Sequence, residues 1–224
     1  MKSIVVFSGA GMSAESGIMT FRDMGGLWER YDVTEVASPE AWEKNPQLVM
    51  DFYNQRRKQL LQCEPNKGHT LIAGLEKDYD VQIITQNVDD LHERAGSTKV
   101  LHLHGELKKA RSTVDESLVY TLKGGELKLG DYCEKGSQLR PHIVWFGEAV
   151  PAMDQAISLI QQGDMVVVVG TSLQVYPAAG LLNFIKKTVP IVVIDPDTPK
   201  FSAAGNITAI RKKASEGLQS LSTD

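Results

Sequence analysis

The chain has 224 residues, a net charge of −4 and two cysteines, Cys63 and Cys133. This length predicts one domain, or one domain with a small insertion. Because lysine and arginine are dispersed and outnumbered by acidic residues, we expect no direct binding of nucleic acid. Two cysteines cannot build a disulfide framework, so we expect a reducing, cytoplasmic setting. The longest apolar run, Met165 to Val169, is far too short to span a bilayer, so we expect no membrane segment. A predicted strand begins almost at the first residue, so we also expect no signal or transit segment.

The chain begins with a short apolar run that leads directly into glycines. Lys2 to Phe7 predicts a strand buried on both faces, and Gly9 and Gly11 follow it closely. Glycines after a strand let the main chain turn sharply and approach a pyrophosphate, whose charge the N–H groups of a following helix start can hold. The spacing differs from the G-x-G-x-x-G of ordinary dehydrogenases, and two glycines with a serine can form a plain turn. The glycines alone therefore leave both interpretations open.

The residues after this turn extend the pattern. Residues 9–22, G-A-G-M-S-A-E-S-G-I-M-T-F-R, resemble the opening signature of the sirtuins, the NAD-dependent protein lysine deacylases. The resemblance implies an NAD site here, with a glycine-bearing loop after Arg22 that folds over the bound cofactor. The residues that it assigns to NAD in this region are Gly9, Ala10, Gly11, Ser13, Ser16, Gly17, Ile18, Phe21, Arg22 and Trp28.

A second predicted strand, Val81 to Thr85, ends in polar residues. Polar side chains at the carboxyl end of a parallel strand lie where open α/β sheets bind ligands. Gln86, Asn87 and Asp89 match the sirtuin Q-N-x-D motif. The resemblance implies that they line the pocket for nicotinamide and its ribose, with Asn87 and Asp89 also in catalytic roles. Asn87 or Asp89 can also cap a helix, and the two roles are compatible.

A third predicted strand, Lys99 to Leu103, carries histidines at its end. His102 and His104 alternate with leucines, so both point to one face. A lone histidine is more often structural than catalytic. The H-G pair that begins at His104 matches the catalytic histidine of the sirtuins, so the resemblance assigns His104 as the catalytic base and His102 as its support.

The later strands lead into the remaining cofactor residues. Asp164 to Val169 predicts a core strand, and the residues after it resemble the second NAD motif of the family, G-T-S-L-x-V-x-P-A. Val189 to Ile194 predicts the last strand, and the residue after it is an aspartate where the family usually has an asparagine near the adenine ribose. The residues assigned to NAD here are Gly170, Thr171, Ser172, Asp195 and, as a cover for the adenine, Ala214.

A long helix predicted from Pro46 to Leu61 carries Tyr53 and Arg56, which are three residues apart and therefore neighbours on one side. On their own they indicate a half-buried tyrosine beside a solvated arginine. Together with Ala37 they match, in type and spacing, the acyl pocket of sirtuins that remove succinyl and malonyl groups. A small Ala37 leaves room for a longer acyl chain, Arg56 can hold its carboxylate by two parallel hydrogen bonds, and Tyr53 can donate a third.

Residues 140–148 resemble the substrate-binding segment of the family, R-P-x-V-V-W-F-G-E. The resemblance implies that Val144 lines the acyl-lysine tunnel. It also implies that Phe146, Gly147 and Glu148 pair their main chain with an extended substrate peptide. A buried apolar strand from Ile143 to Phe146 is the alternative for the same residues.

Residues 107–140 depart from the family. Most protein-deacylating sirtuins carry two C-x-x-C-like pairs here that hold a structural zinc, whereas this chain keeps only Cys133. One thiolate cannot form the four-ligand site that zinc prefers, so we expect no zinc. Ser117 to Lys123 and Glu126 to Leu129 predict two strands of a tight hairpin around Gly124 and Gly125.

Strands that alternate with helices predict an α/β fold with a doubly wound, Rossmann-like parallel sheet. Two insertions, roughly 24–66 and 105–140, are expected to form a small second lobe. The cleft between the lobes would hold NAD and the acyl-lysine.

The resemblance implies NAD-dependent removal of succinyl and malonyl groups, and also of acetyl groups, from the lysines of proteins or peptides. In that reaction His104 activates a ribose hydroxyl, and nicotinamide and O-acyl-ADP-ribose are released. We expect the chain to act as a monomer. Mono-ADP-ribosyl transfer or NAD hydrolysis on the same scaffold stays open as an alternative, which the lost zinc cysteines make less remote. A non-enzymatic NAD-sensing module is a second alternative.

Overall fold

The computed structural model describes residues 1–18, 32–123, 125–197 and 207–221. The strands are β1 Ser3–Ser8, β2 Asp80–Thr85, β3 Val100–His102, β4 Gly105–Ser112, β5 Val119–Thr121, β6 Leu139–Ile143, β7 Met165–Val169, β8 Ile191–Ile194 and β9 Ile207–Ile210. The α-helices are α1 Gly11–Ala14, α2 Val33–Val36, α3 Pro39–Lys44, α4 Pro46–Leu60, α5 Lys67–Leu75, α6 Leu91–Arg94, α7 Met153–Gln162 and α8 Ala214–Gln219, and a 3₁₀ helix covers Ala178–Phe184.

Six parallel strands form the larger sheet, in the order β3-β2-β1-β7-β8-β9. β1 pairs with β2 on one side and with β7 on the other, so the direction in which the chain adds strands reverses between β1 and β7. Open α/β sheets bind their ligands beyond the carboxyl ends of the strands at such a reversal. The predicted doubly wound parallel sheet is confirmed, and its topology places a ligand site after β1 and β7.

The sheet is covered on both faces. Val5 and Phe7 of β1 point into one apolar cluster, which includes Ile160 of α7. Ile4 of the same strand points into a second cluster, which includes Ile72 of α5. Successive residues of a strand face opposite sides, so a strand between two layers of helices needs adjacent apolar residues. This requirement explains the continuous apolar run at the start of the sequence.

Three antiparallel strands form a smaller sheet, in the order β5-β4-β6. Helix α4 packs on it, and Phe52 of α4 and Leu107 of β4 share one buried cluster. The small second lobe formed by two insertions is confirmed, whereas its predicted limits, 24–66 and 105–140, stay a prediction. None of the helices in the described ranges is long and apolar enough to cross a membrane. The expected monomeric state and cytoplasmic setting stay predictions.

The strand predicted at Glu126 to Leu129 is wrong. These residues form no strand, and β5 pairs instead with β4, with Thr121 opposite Lys109. The reason is Asn54 of α4, whose Nδ2 donates to the Leu127 carbonyl at 2.9 Å and whose Oδ1 accepts from the Leu127 N–H at 2.9 Å. Because the side chain of Leu127 is also buried, the helix holds this residue in place of a partner strand.

Candidate active site

A cleft of about 900 Å³ opens between the carboxyl ends of the parallel strands and the small lobe. One wall comes from residues that follow β1, β2, β7 and β8, and the other comes mainly from α4, β6 and the segment after β6. The sequence-predicted residues that line it are Gly9, Ala10, Gly11, Ser13, Ile18, Ala37, Tyr53, Arg56, Gln86, Asn87, Asp89, His104, Val144, Phe146, Gly147, Glu148, Gly170, Thr171, Ser172 and Asp195. The fold thus brings most of the predicted site together.

Glycines let the turn after β1 contact the turn after β7. The Gly11 N–H donates to the Gly170 carbonyl at 2.8 Å. A Cβ on Gly11 would lie 2.8 Å from the Gly170 Cα. A Cβ on Gly170, whose φ is +61°, would lie 2.2 Å from the Met12 nitrogen. Side chains at these positions would force the turns apart, so the glycines allow two distant sequence motifs to form one wall.

This wall carries donors suited to an anion. Within the described ranges, the N–H groups of Ala10 and Ser172 have no hydrogen-bond partner, and both residues line the cleft. The Thr171 hydroxyl oxygen accepts from Gln86 Nε2 at 3.0 Å, which ties the residue after β2 to the turn after β7. Main-chain N–H groups and hydroxyls at such turns bind phosphate oxygens. The donor set therefore fits the pyrophosphate of a dinucleotide.

Three buried polar side chains form a network beside this wall. Asn87 Nδ2 donates to the Gly9 carbonyl at 3.1 Å and to Ser13 Oγ at 3.0 Å. Ser13 Oγ in turn donates to Asp89 Oδ2 at 2.9 Å. Burial raises the pKa of Asp89, and the hydrogen bonds from Ser13 and from the Leu91 N–H oppose the rise. The bond from Leu91, the first residue of α6, shows that Asp89 also serves the helix start. The network fixes Asn87 and Asp89 against the glycine turn.

His104 lies in the cleft with one ring nitrogen fixed. Its Nδ1 lies 3.0 Å from the carbonyl oxygen of Gln86. Because a carbonyl oxygen only accepts, Nδ1 carries the proton in this contact, and Nε2 of the neutral ring is left as an acceptor. Burial lowers the pKa of His104, and the hydrogen bond to Gln86 only partly offsets this effect. The imidazole is therefore neutral at about pH 7 and able to accept a proton at Nε2.

His102 contacts the same region without lining the cleft. Its Nδ1 lies 3.0 Å from the Asn87 carbonyl oxygen, and its Nε2 lies 2.8 Å from Glu93 Oε1. Burial acts to lower the pKa of His102, but the hydrogen bond and charge of Glu93 outweigh burial and the pKa is raised. The contact with Asn87 is compatible with the supporting role that the sequence predicts.

Tyr53 and Arg56 lie on the wall formed by α4. Tyr53 is 3% exposed, and its hydroxyl oxygen accepts a hydrogen bond from Trp145 Nε1 at 3.1 Å. Burial raises the pKa of Tyr53 to about 12 against the opposing charge of Arg56, so the hydroxyl keeps its proton. Burial lowers the pKa of Arg56, which Tyr53 and Asp89 oppose, and an arginine stays charged in proteins. The pair offers one neutral O–H and one cation to the cleft.

The neighbouring Arg57 has a structural role. It is 1% exposed, and its Nε donates to the Leu107 carbonyl of β4. Its Nη1 donates to Asn54 Oδ1 at 2.7 Å and to the Gly125 carbonyl at 3.1 Å. Arg57 therefore joins α4 to the small sheet, and Arg56 is the arginine of this pair that lines the cleft.

The segment after β6 uses part of its main chain within the protein. The Phe146 N–H donates to the Ala37 carbonyl at 3.0 Å, and the Glu148 N–H closes a tight turn. Among the described residues, only the Gly147 N–H of these three has no partner. The Glu148 carboxylate accepts from Arg140 Nη1 at 2.6 Å, so its side chain is engaged in the lobe. Of the three N–H groups for which peptide pairing is predicted, the Gly147 N–H is therefore the one that remains available to a ligand.

Comparisons with known proteins identify the family of this chain. The model of the Sir2 family matches residues 9–177. The chain belongs to the Sir2 family. A Helicobacter pylori protein named NAD-dependent protein deacylase is 56% identical to this Sir2 chain over 221 residues, which cover 99% of this chain and 96% of the relative.

Solved Sir2 structures share the fold. A Sir2 homologue in complex with NAD is 41% identical with a TM-score of 0.88, and the match covers 98% of this chain and 88% of that one. A Sir2 variant with a deacetylated p53 peptide and 3′-O-acetyl ADP ribose is 31% identical with a TM-score of 0.79, covering 96% of this chain and 90% of that one. The predicted family and fold are confirmed.

Some predicted residues of this Sir2 chain lie away from the cleft. Ser16 Oγ accepts from Asn66 Nδ2 at 3.0 Å, and Gly17 turns the chain with a φ of +86°. Ala214 begins α8 and is buried in an apolar cluster with Leu218. None of these three predicted residues is part of the cleft lining. The predicted residues Phe21, Arg22 and Trp28 lie outside the described residues.

Two aromatic residues without a predicted role also line the cleft. Trp145 stands inside the matched substrate segment, but its hydrogen-bond partner Tyr53 is 92 positions away in the chain. Tyr176 lies in the second cofactor motif and is 75% exposed at the cleft. An aromatic residue inside a matched motif was the available signal for each, and only the fold shows that it lines the cleft.

The described residues do not fit the zinc site of the family. Within the described ranges, no group of three or more histidine, cysteine, aspartate or glutamate residues could hold a metal ion. Cys133 Sγ donates to Ser112 Oγ at 3.3 Å, at the end of β4 where the first cysteine pair would stand. Lys135 pairs with Asp115 at 2.6 Å nearby. Hydrogen bonds and an ion pair join the segments that zinc would otherwise join.

We expect chelation to leave the protein unchanged. Dialysis against EDTA should change neither Tm nor activity, and elemental analysis should find no stoichiometric zinc, because the lobe has no ligand set to lose. Cys133→Ser is the matched control, since it keeps a hydroxyl against Ser112, and its Tm should stay within about 4 °C. Stoichiometric zinc, or a Tm that falls on chelation and recovers with added zinc, would contradict this expectation.

Proposed function

We propose that this chain removes acyl groups from protein lysines with NAD as co-substrate, and that it prefers the acidic succinyl and malonyl groups to acetyl. The observation that carries this proposal is the placement of His104, Tyr53 and Arg56 along one cleft. The 56% identity to a protein named NAD-dependent protein deacylase supports the reaction class. The acidic preference rests on Tyr53 and Arg56.

The turns after β1 and β7 would hold NAD. The N–H groups of Ala10 and Ser172, which have no partner among the described residues, suit its pyrophosphate, and Asp195 after β8 would supply a carboxylate acceptor for ribose hydroxyls. Asn87 and Asp89, fixed against the glycine turn, would surround the nicotinamide end. When bound, NAD supplies an anomeric carbon from which nicotinamide can leave.

His104 is the proton acceptor of the proposed reaction. Its Nδ1–H is held by the Gln86 carbonyl, so Nε2 can take a proton from a ribose hydroxyl. Burial keeps the ring neutral to a lower pH than in an exposed histidine. His102 holds the main chain of Asn87 next to this site.

The pKa of His104 predicts the acid limb of the pH profile. The base works only when unprotonated, and burial sets its pKa below the ordinary value of 6.5. Activity should therefore rise with pH, with a midpoint below 6.5, and should be level by about pH 7. The measurement is kcat/KM for an acetyl-lysine peptide, which has no acyl carboxylate to titrate. A midpoint above 6.5 would contradict the assignment.

Arg56 and Tyr53 would select the acyl group. A guanidinium binds a carboxylate by two parallel hydrogen bonds, and a neutral phenol can donate another. Ala37 lines the cleft with a small side chain, which leaves space for the longer acyl groups. An acetyl group has no terminal carboxylate, so it gains nothing from the cation.

The peptide would pair along the segment after β6. The Gly147 N–H has no partner among the described residues and is offered to a substrate carbonyl. Val144, which lines the cleft between His104 and this segment, would contact the lysine stem. With these contacts the acyl-lysine would lie between the base and the pair formed by Tyr53 and Arg56.

A product balance tests the reaction class. The protein is incubated with NAD and one peptide prepared as acetyl-, succinyl- and malonyl-lysine, and products are counted by mass spectrometry. We expect one nicotinamide and one acylated ADP-ribose for each freed lysine. Nicotinamide released without loss of acyl group would overturn the proposal in favour of NAD hydrolysis or ADP-ribosyl transfer. Binding of NAD without turnover would favour the NAD-sensing alternative.

A further inference from the structure

Tyr53 is held by a single donor. Its hydroxyl oxygen accepts from the indole N–H of Trp145 at 3.1 Å, and both side chains line the cleft with Arg56. An indole N–H only donates, so this bond occupies a lone pair of the hydroxyl and leaves the hydroxyl hydrogen unused. Within the described ranges, Tyr53 has no acceptor for that hydrogen. The hydrogen is therefore available to a ligand in the cleft.

Trp145 is fixed from several sides. It is 2% exposed, and its indole packs against Trp42 with ring centroids 5.8 Å apart. The guanidinium carbon of Arg140 lies 3.3 Å from its ring centroid, and a cation over an indole face is attractive. Its main-chain N–H donates to Glu148 Oε2 at 2.8 Å. These contacts fix the ring plane, and with it the direction of the indole N–H.

Arg140 is in turn held by Glu148. Its Nη1 and Nη2 donate to the two carboxylate oxygens at 2.6 and 3.1 Å, a paired geometry that resists rotation. Arg111 adds a third donor to the same carboxylate at 3.2 Å. A continuous series of contacts thus runs from Glu148 through Arg140 and Trp145 to the Tyr53 hydroxyl.

We infer that Trp145 is a positioning residue for acyl-group selection, because its indole N–H orients the Tyr53 hydroxyl to donate to the terminal carboxylate of an acidic acyl group. This inference rests on the proposed function and names how the same cleft separates acidic acyl groups from acetyl. Without the indole donor, the hydroxyl could rotate and turn its hydrogen away from the ligand. A donor that must be ordered on binding contributes less than one already in place.

Trp145→Phe is the test, since it removes the indole N–H but keeps an aromatic ring between Trp42 and Arg140. We expect kcat/KM for a succinyl-lysine peptide to fall roughly three- to tenfold, the range of one neutral hydrogen bond, mainly through a higher KM. The acetyl-lysine peptide should lose less, so that the succinyl-to-acetyl ratio of kcat/KM falls by about threefold or more. Tyr120→Phe is the control, because it removes one hydrogen-bonding group from the small lobe, the hydroxyl that donates to Glu134, at a position that does not line the cleft, and it should leave the succinyl-to-acetyl ratio unchanged.

A double-mutant cycle with Tyr53→Phe separates positioning from packing. If Trp145 acts through the hydroxyl, Trp145→Phe should cost nothing further in the succinyl-to-acetyl ratio once the hydroxyl is gone. Losses that add in the cycle would overturn the inference. An equal loss on the two peptides would also overturn it, because that result indicates a packing role.

Failure of the inference can be distinguished from failure of the proposed function. A wild-type protein without preference for succinyl-lysine overturns the proposed specificity, and the inference with it. A wild-type protein that prefers succinyl-lysine, together with a Trp145→Phe variant whose ratio is unchanged, overturns the inference alone.

Discussion

Replacing His104 by alanine should lower kcat by roughly 10²- to 10⁴-fold for every acyl-lysine peptide. The substitution removes the imidazole that the Gln86 carbonyl holds at the cleft and that presents Nε2 as an acceptor. In the proposed reaction His104 accepts its proton from a ribose hydroxyl, which all the peptides share, so the loss should be the same factor for acetyl, succinyl and malonyl groups. Steady-state kinetics with the three peptides at saturating NAD measures it.

His142→Gln is the matched control for this variant. His142 is a half-buried histidine of β6 that does not line the cleft, so its loss should leave kcat within a few fold. Unfolding curves of both variants show whether either change acts through stability. A correctly folded His104→Ala protein that keeps kcat within about tenfold of the wild type would rule out His104 as the general base.

Replacing Arg56 by methionine should lower kcat/KM for a succinyl-lysine peptide by about a hundredfold. The methionine keeps an unbranched side chain against Phe52 but removes the cation that lines the cleft next to Tyr53. The carboxylate of the substrate would then lose its water without gaining a charged partner, and removing an unpaired charge from water costs much free energy. The acetyl-lysine peptide has no such carboxylate, so its kcat/KM should change little.

Lys58→Met controls for the loss of one positive charge from the same helix. Lys58 is exposed and does not line the cleft, so both peptides should keep their kcat/KM. Comparing the two variants distinguishes the two roles. His104→Ala should lower activity equally for all acyl groups, whereas Arg56→Met should lower it for the acidic ones. Equal losses on both peptides in Arg56→Met would end the assignment of Arg56 to the acyl carboxylate.

Local patterns predicted the larger sheet and the turn after β1 well. The run from Ile4 to Phe7 is apolar at every position because the strand is buried on both faces. Helical spacing also predicted that Arg56 lies beside Tyr53 in α4, and both residues line the cleft, whereas the adjacent Arg57 contacts the small sheet. Such features depend on a few consecutive residues, so the sequence carries them directly.

These local patterns did not predict contacts between residues that are distant in the sequence. Gly11 is needed because its main chain packs closely against Gly170, and a glycine-rich turn in the sequence does not predict this contact. Asn54 bonds Leu127 across 73 positions, and this bond replaces the hairpin that local composition favoured. Sequence motifs predicted which residues belong to the site. Only the packed fold determines which of their atoms remain available to a ligand.

The most direct test compares kcat/KM of the wild-type protein on one peptide carrying succinyl-lysine or acetyl-lysine, at saturating NAD. A cation and a phenol facing the acyl carboxylate predict that the succinyl-lysine peptide is preferred by at least about tenfold. Equal values, or a preference for acetyl-lysine, would contradict the proposed acidic specificity and remove Tyr53 and Arg56 from substrate selection.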